Sequence, residues 1–238
     1  MIDRVAPTRR PKGKPVGYQS WRSLLFMHWP VPVEQLRPLV PSSLELDLHE
    51  GIAYVGLVPF AMFHVRPWWA PKSLGFNFLE TNVRTYVTVD GRPGVYFFSL
   101  DAASRIGVWT ARTFWGLPYF YASMKMRQID DMRCYRSVRT VGNRHHEVSC
   151  RVGELLPASG PTSLEFFFLE RYLLFLQRRD TLYCGQVHHS PYPAHLAEIL
   201  NLDDQLLAAA GLTECHGLPP FVHYSPGVDV EIFPLRPI

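Results

Sequence analysis

The sequence predicts a β-rich α+β domain in which a large sheet curls around an interior and only a few short helices interrupt it. Three observations carry that prediction. The 238 residues include 21 prolines and 15 phenylalanines, which favour strands and turns over a helical bundle. Short apolar runs recur between turn signals along most of the chain, and helical periodicity is confined to a few brief segments. At 47% hydrophobic and 19% charged the composition is globular, and a chain this long buries roughly 70–75% of its unfolded surface. No repeat, low-complexity tract or linker divides it, so residues 18–238 are expected to form a single domain behind a basic, Pro-rich leader at 1–17.

The elements follow in order. WRSLLFMHW reads as a buried strand and VPVEQLRPLVP as a short helix closed by Pro41. SLELDLHEGIAYVGLVPFAMFHV reads as two strands around His49–Gly51. The loop RPWWAPKSLG carries Trp68 and Trp69, either as a lid over a cavity or as an oligomer contact. FLETNVRTYVTV and GVYFFSL flank the turn signal DGRPG and make a hairpin. Strand alternation puts Glu80, Asn82, Arg84 and Tyr86 on one face of its first strand, which is then either the solvated side of a sheet or a polar-lined interior. Asp101 is the expected N-cap of AASRIGVWTARTFW, whose Ile106, Trp109 and Thr113 or Phe114 recur at helical spacing, and Gly116 closes that helix. Strands are expected at PYFYASMKMRQI, MRCYRSVRTV and HEVSCRVGEL, with RHH at 144–146 in a solvated hairpin turn. TSLEFFFLERYLLFLQ divides into a helical turn and a strand from Arg171, TLYCGQVHH is another strand, LDDQLLAAAG is a short helix, and PPFVHYSPGVDVEIFPL ends the chain in strands.

The net charge of +3 resides in the leader, where Arg4, Arg9, Arg10, Lys12 and Lys14 face only Asp3, leaving the remainder near −1. A basic arm can touch nucleic acid or an anionic membrane, but a nearly neutral remainder favours a solvated leader that is either poorly ordered or lies across the fold. Neither nucleic acid nor a membrane is expected as a partner; a homo-oligomer is. Cys134, Cys150, Cys184 and Cys215 form no CxxC pair, as expected of reduced thiols in the cytoplasm. The N-terminus has no apolar signal-peptide segment, and the longest apolar run, IAYVGLVPFAMF, is too short to span a bilayer.

Three segments together resemble the acetoacetate decarboxylase superfamily, and more closely its YqjF-like branch, a domain of unknown function. They are WRSLLFMHWPVPVEQLRPLVPSSLELD, NFLETNVRTYV and ARTFWGLPYFYA, in the family's order over residues 18–126; LERYLLF, HHSPYP and HYSPGVDV resemble later landmarks of the branch. The resemblance implies an antiparallel β-cone or barrel with a buried cavity. In the decarboxylase a lysine there forms a Schiff base with a keto acid, activated by a second lysine. Matched by motif, the family's arginine before the opening strand falls on Arg22, its strand glutamate on Glu80 and its helix arginine on Arg112. The reactive lysine falls on Tyr119, its activating neighbour on Phe120, and a second acidic residue near Gly56, in an apolar run. A phenol cannot condense with a carbonyl to an iminium, so decarboxylation by that route is not expected at this position. Lys125 shares parity with Tyr119 but lies ~20 Å along an extended strand.

What remains is Glu80 as general acid or base, Tyr119 as hydrogen-bond donor, and Arg22, Arg84 and Arg112 as carboxylate partners, with Phe120 in the cavity wall. Each has an alternative as structure, Glu80 closing the cone as half of a buried ion pair. Cys184, His188, His189 and His195 invite a metal, yet no HExxH or His-x-His spacing exists and Pro191 and Pro193 interrupt them, so no metal and no cofactor are expected. No GxSxG nucleophile elbow and no Gly-rich phosphate loop is present. The leading expectation is a protein that binds a small, partly apolar carboxylate or carbonyl compound in an aromatic-lined cavity. Its rivals are a lyase, hydratase or isomerase using Glu80 without covalent catalysis, and an interaction module whose cone is filled by its own side chains.

Overall fold

The computed structural model describes residues 2–238, apart from the side chain of Phe114. Strand β1 (Gly17–Val31) leads into helix α1 (Val33–Leu36), which runs on as a 3-10 turn, Arg37–Leu39. Strands β2 (Glu45–Leu46), β3 (Ala53–Pro67), β4 (Phe76–Val89) and β5 (Arg92–Ala102) follow. Asp90 and Gly91 both adopt positive φ, 50° and 72°, the primed turn whose twist matches the strands it joins. Helix α2 (Arg105–Thr110) passes into a π-helical turn, Ala111–Trp115, ended by Gly116 in the left-handed region. The chain continues through β6 (Tyr119–Ile129), β7 (Met132–Arg139), β8 (His145–Leu155) and α3 (Leu164–Leu169). It ends with β9 (Leu173–Arg178), β10 (Thr181–His188), β11 (His195–Asp204), α4 (Leu206–Ala209), β12 (Phe221–Ile232) and β13 (Arg236–Pro237).

The strands form one sheet that closes on itself. The run β5-β6-β7-β8-β11-β12-β1-β3-β4 returns to β5 through the β4–β5 ladder. A second circuit uses the same β5, β4, β3, β1 and β12 but closes through β9 and β10, by the β5–β9 and β10–β12 pairings. All pairings are antiparallel except β5–β6 and β5–β9, the former a consequence of the crossover through α2. Two interiors therefore lie on either side of a shared wall. One is filled by Leu25, Met27, Val55, Val83, Tyr135 and Val148 and capped by Leu36 of α1 and Leu206 of α4. The other contains Leu24, Phe26, Val58, Phe60 and the α3 residues Phe167 and Phe168.

Several local expectations are corrected. Asp101 is not a helix cap: it is the buried penultimate residue of β5 and pairs with Arg139, 2.8 Å from its Nε, while Ser104 caps α2 by accepting from Gly107 N. Ile106 and Trp109 face solvent, and Val108 is the α2 residue that enters the core. His146 is fully buried against Asp204 rather than solvated in a turn. The segment HLAEILNLDD is strand β11, so the LDD expected to open the helix LDDQLLAAAG belongs to a strand and α4 begins only at Leu206. The leader lies across the sheet: Arg4 reaches Asp47, Gln186 donates to the carbonyl of Pro7, and Arg10 pairs with Glu231.

Candidate functional site

Eight strands contribute side chains to the wall of the second interior, and on β4 and β1 strand parity decides which. On β4 the even residues Glu80, Asn82 and Arg84 face it, while Val83 on the opposite face packs into the filled interior, so this strand is buried on both sides. On β1 the parity changes part-way: Gln19 and Trp21 face the cavity, then Leu24 and Phe26 do. The change occurs at Ser23, whose φ is +52°, where the β1–β3 register shifts. Arg22 is thereby turned outward. It pairs with Asp229 at half-exposed positions and is absent from the cavity lining.

The parallel β5–β6 pairing sets Tyr119 beside Leu100, while Ala102, one step on, is the partner of Glu80. The phenol thus reaches over a methyl-sized neighbour, and Tyr119 Oη donates to Glu80 Oε2 at 2.8 Å. Glu80 is 2% exposed and has no ion-pair partner among the described residues. Burial pushes its carboxyl up to about 8, with Asp101 contributing in the same direction; the Tyr119 hydrogen bond opposes the shift. The Tyr119 phenol is itself raised well above its ordinary value by burial and by Glu80. At neutral pH the pair is therefore mostly uncharged.

The cavity measures about 120 Å³, and aromatic rings from Trp21, Phe60, Phe97, Trp115, Tyr172 and Tyr192 form much of its wall. For comparison, an apolar cavity of about 150 Å³ holds benzene. Arg84, 9% exposed, donates from Nη2 to the carbonyl of Phe168 at 3.0 Å, while its Nε has no partner; the Oδ1 of Asn82, 5% exposed, has none either. The site thus offers a neutral acid, an amide and a cation in a row along one strand, between apolar walls.

Arg112 and Phe120 do not belong to it. Phe120 follows Tyr119 on a strand and points to the opposite face, sandwiched between the guanidiniums of Arg112 and Arg139 at 5.4 and 4.1 Å from its centroid. Arg112 is exposed on the π-helical turn. Trp68 and Trp69, 57% and 68% exposed, do not line the cavity and so are no lid over it. Tyr172 and Arg171, which the sequence reading did not single out, do line it. Their signal was faint, since the carboxylate that Arg171 meets, Asp47, lies 124 positions away in the chain. His189, from the candidate metal cluster, stacks on Tyr172 at 4.3 Å, and burial lowers it to about 4. Its Nδ1–H donates to the carbonyl of Ser190.

This arrangement can be set beside known proteins. A family model described as an uncharacterized conserved protein, DUF2071, matches residues 18–229. The chain belongs to the DUF2071 family. Uncharacterized protein YqjF of Bacillus subtilis (strain 168) is 38% identical over 237 residues, covering 95% of this chain and 94% of that protein. Among solved structures, acetoacetate decarboxylase from Legionella pneumophila superposes with a TM-score of 0.66 at 15% identity, covering 98% of this chain and 92% of that one. An acetoacetate decarboxylase-like enzyme from Sphingomonas wittichii RW1 gives 0.66 at 12% identity, with 95% and 94% covered. The enduracididine biosynthesis enzyme MppR complexed with pyruvate gives 0.65 at 14% identity, with 96% and 93% covered. The DUF2071 chain therefore has the acetoacetate decarboxylase-like fold, closed as a ring of strands. No helix among its described residues is long and apolar enough to cross a membrane.

Proposed function

We propose that this DUF2071 protein binds a small, partly apolar carboxylate or carbonyl compound in the cavity and does so without a Schiff base. The observation that carries the reading is the Glu80–Tyr119 pair: a carboxyl and a phenol 2.8 Å apart, protonated at neutral pH, in a water-poor aromatic cavity. With the Tyr119 O–H donating to Glu80, the carboxyl O–H of Glu80 is left to donate to a ligand oxygen, and Arg84, with its unpartnered Nε, supplies the positive charge for a carboxylate. Tyr119 occupies the position matched to the decarboxylase lysine, and no lysine is among the described residues lining the cavity. The likeness to solved structures concerns the fold alone, so the ligands in their names are not carried over.

A second reading, proton transfer to or from the ligand, is favoured by one observation. A carboxyl brought to about 8 is poised near physiological pH, where a general acid or base works best. Native mass spectrometry of protein purified without additives is expected to reveal a co-purified small acid or carbonyl compound. Borohydride in the presence of keto acids is expected to leave the protein unmodified, and a stable adduct on any lysine would overturn the non-covalent reading. If the site moves protons, deuterium from D2O enters the α-position of a bound carbonyl compound, and Glu80→Gln abolishes that incorporation. Binding without incorporation leaves a binding protein.

A further inference from the structure

The end of the cavity farthest along β4 from Glu80 is unusually rich in positive charge. Arg171, its side chain 2% exposed, donates from Nε to the carbonyl of Phe167 and from Nη1 to Asp47, each at 2.6 Å, and its Nη2 has no partner. Arg84 donates to the next carbonyl, that of Phe168, and also keeps one nitrogen unpartnered. Both guanidiniums lie by the ring of Tyr86, at 4.8 and 5.8 Å from its centroid, so two buried cations converge on one wall. Arg4 of the leader joins them by a bidentate bond to the same Asp47, at 2.6 and 2.7 Å.

Arg4 and Arg171 therefore share the carboxylate of Asp47, while Arg84 has no ion-pair partner among the described residues. The remaining polar groups nearby do not redress the balance. Burial holds His28 neutral by keeping its pKa well below the usual imidazole range, and burial keeps the Tyr86 phenol protonated. Glu170 makes no ion pair with either guanidinium among the described residues: it accepts from Tyr172 Oη at 2.6 Å and from the backbone N of Tyr192 at 2.9 Å, and burial raises its pKa. Arg84 and Arg171 therefore each keep a buried guanidinium nitrogen without a partner, and two anionic groups, one for each, satisfy both.

We propose that Arg84 and Arg171 form a clamp for a dianionic ligand, a short dicarboxylate whose two ionised carboxylates each meet one of the two guanidiniums. The inference rests on the cavity-binding reading above and names the substrate class within it. The unpartnered nitrogens, both on side chains more than nine-tenths buried and both in the cavity lining, are the donors available to it. Asp47 is a positioning residue: it anchors Arg171 from behind and leaves Nη2 directed at the ligand. The cavity volume restricts the dicarboxylate to a short backbone, and the apolar walls leave the carbon chain between the carboxylates in hydrocarbon contact.

The test is a calorimetric titration of the full-length protein with malonate and succinate against propionate and butyrate at fixed ionic strength. The dicarboxylates are expected to bind at least tenfold more tightly than monocarboxylates of matched chain length. Arg84→Gln and Arg171→Gln are each expected to bring that ratio close to one, whereas Arg22→Gln on the outer surface leaves it unchanged. The wild-type ratio alone decides the matter should either cavity variant fail to fold. Equal binding of mono- and dicarboxylates overturns the clamp but leaves the carboxylate-binding cavity standing. Inorganic phosphate binding in preference to every carboxylate overturns it in favour of a phosphoryl subsite. Absence of any binding overturns both the clamp and the cavity reading.

Discussion

Glu80 is the residue whose environment has the clearest measurable consequence. Its carboxyl keeps a proton up to about 8 in the fold but loses it near its ordinary 4.5 when the chain is unfolded. Between those values the folded state binds more protons than the unfolded one, so the contribution of Glu80 to stability is present at low pH and is lost as pH rises through the window. Glu80→Gln removes that dependence. The melting temperature of the wild type, relative to the variant, is expected to fall between pH 5 and pH 8; parallel profiles would mean the side chain is ionised and solvated in solution. Residue by residue, the sequence conveyed which side chains share a face with Glu80, because alternation along FLETNVRTYV is a local property, but not whether that face is solvated or turned inward. The same rule places Phe120 opposite Tyr119, and the motif match obscured it. Asp101 was misread because a carboxylate a few residues before a helical run has the appearance of a cap, while its partner Arg139 is visible only in three dimensions. Arg22 was unreadable for a similar reason: its side is set by the bulge at Ser23, and no single residue type announces a bulge.

Among the elements, the β1–β12 ladder depends on a close approach that only glycine permits. Gly227 has φ +130° and sits opposite Arg22, and a Cβ there would fall 2.0 Å from the carbonyl oxygen of Trp21. Gly227→Ala must therefore part the two strands or strain both. The expected cost is at least ~3 kcal/mol, in the range of changes that combine overpacking with backbone strain. Chemical denaturation measures it, and a loss below ~1 kcal/mol would show that the ladder yields easily at this point. Helix α2 shows the opposite limit on what a sequence reveals. Its C-terminal limit was legible from Gly116, but its cap, Ser104 in place of Asp101, and the face it buries were not. Six residues are less than two full turns, too few for periodicity to separate Val108 from its neighbours Ile106 and Trp109. Strand β11 escaped notice because Leu196, Glu198 and Leu200 on its outer face are exposed, so the usual apolar-in, polar-out contrast is weak.

For the whole molecule, closure of the sheet was foreseeable from the number of strands, but the two interiors were not. They arise from β9 and β10 bridging β5 and β12, pairings between segments about 80 and 45 residues apart, and no local pattern encodes such a connection. The leader was expected to be a solvated arm, either poorly ordered or lying across the fold, and most of it is attached by specific contacts. Arg4→Ala takes two charge-assisted hydrogen bonds from the buried Asp47, and a loss of about 1–3 kcal/mol is expected because Arg171 still holds the carboxylate. Thermal unfolding of the variant reads this out. An unchanged melting temperature would mean that the arm is detached in solution.

The pairing of β1 with β12 also governs how the protein can be made. Strand β1 leaves the ribosome well before its register mate at Ile232, and Arg10 likewise precedes Glu231, which it meets across 221 positions of chain. At ~5–20 residues per second the nascent chain spends ~10–40 s with one long, apolar strand edge open. An unpaired edge of that kind recruits other strands, so the interval before β12 emerges is when this topology is most open to wrong pairing.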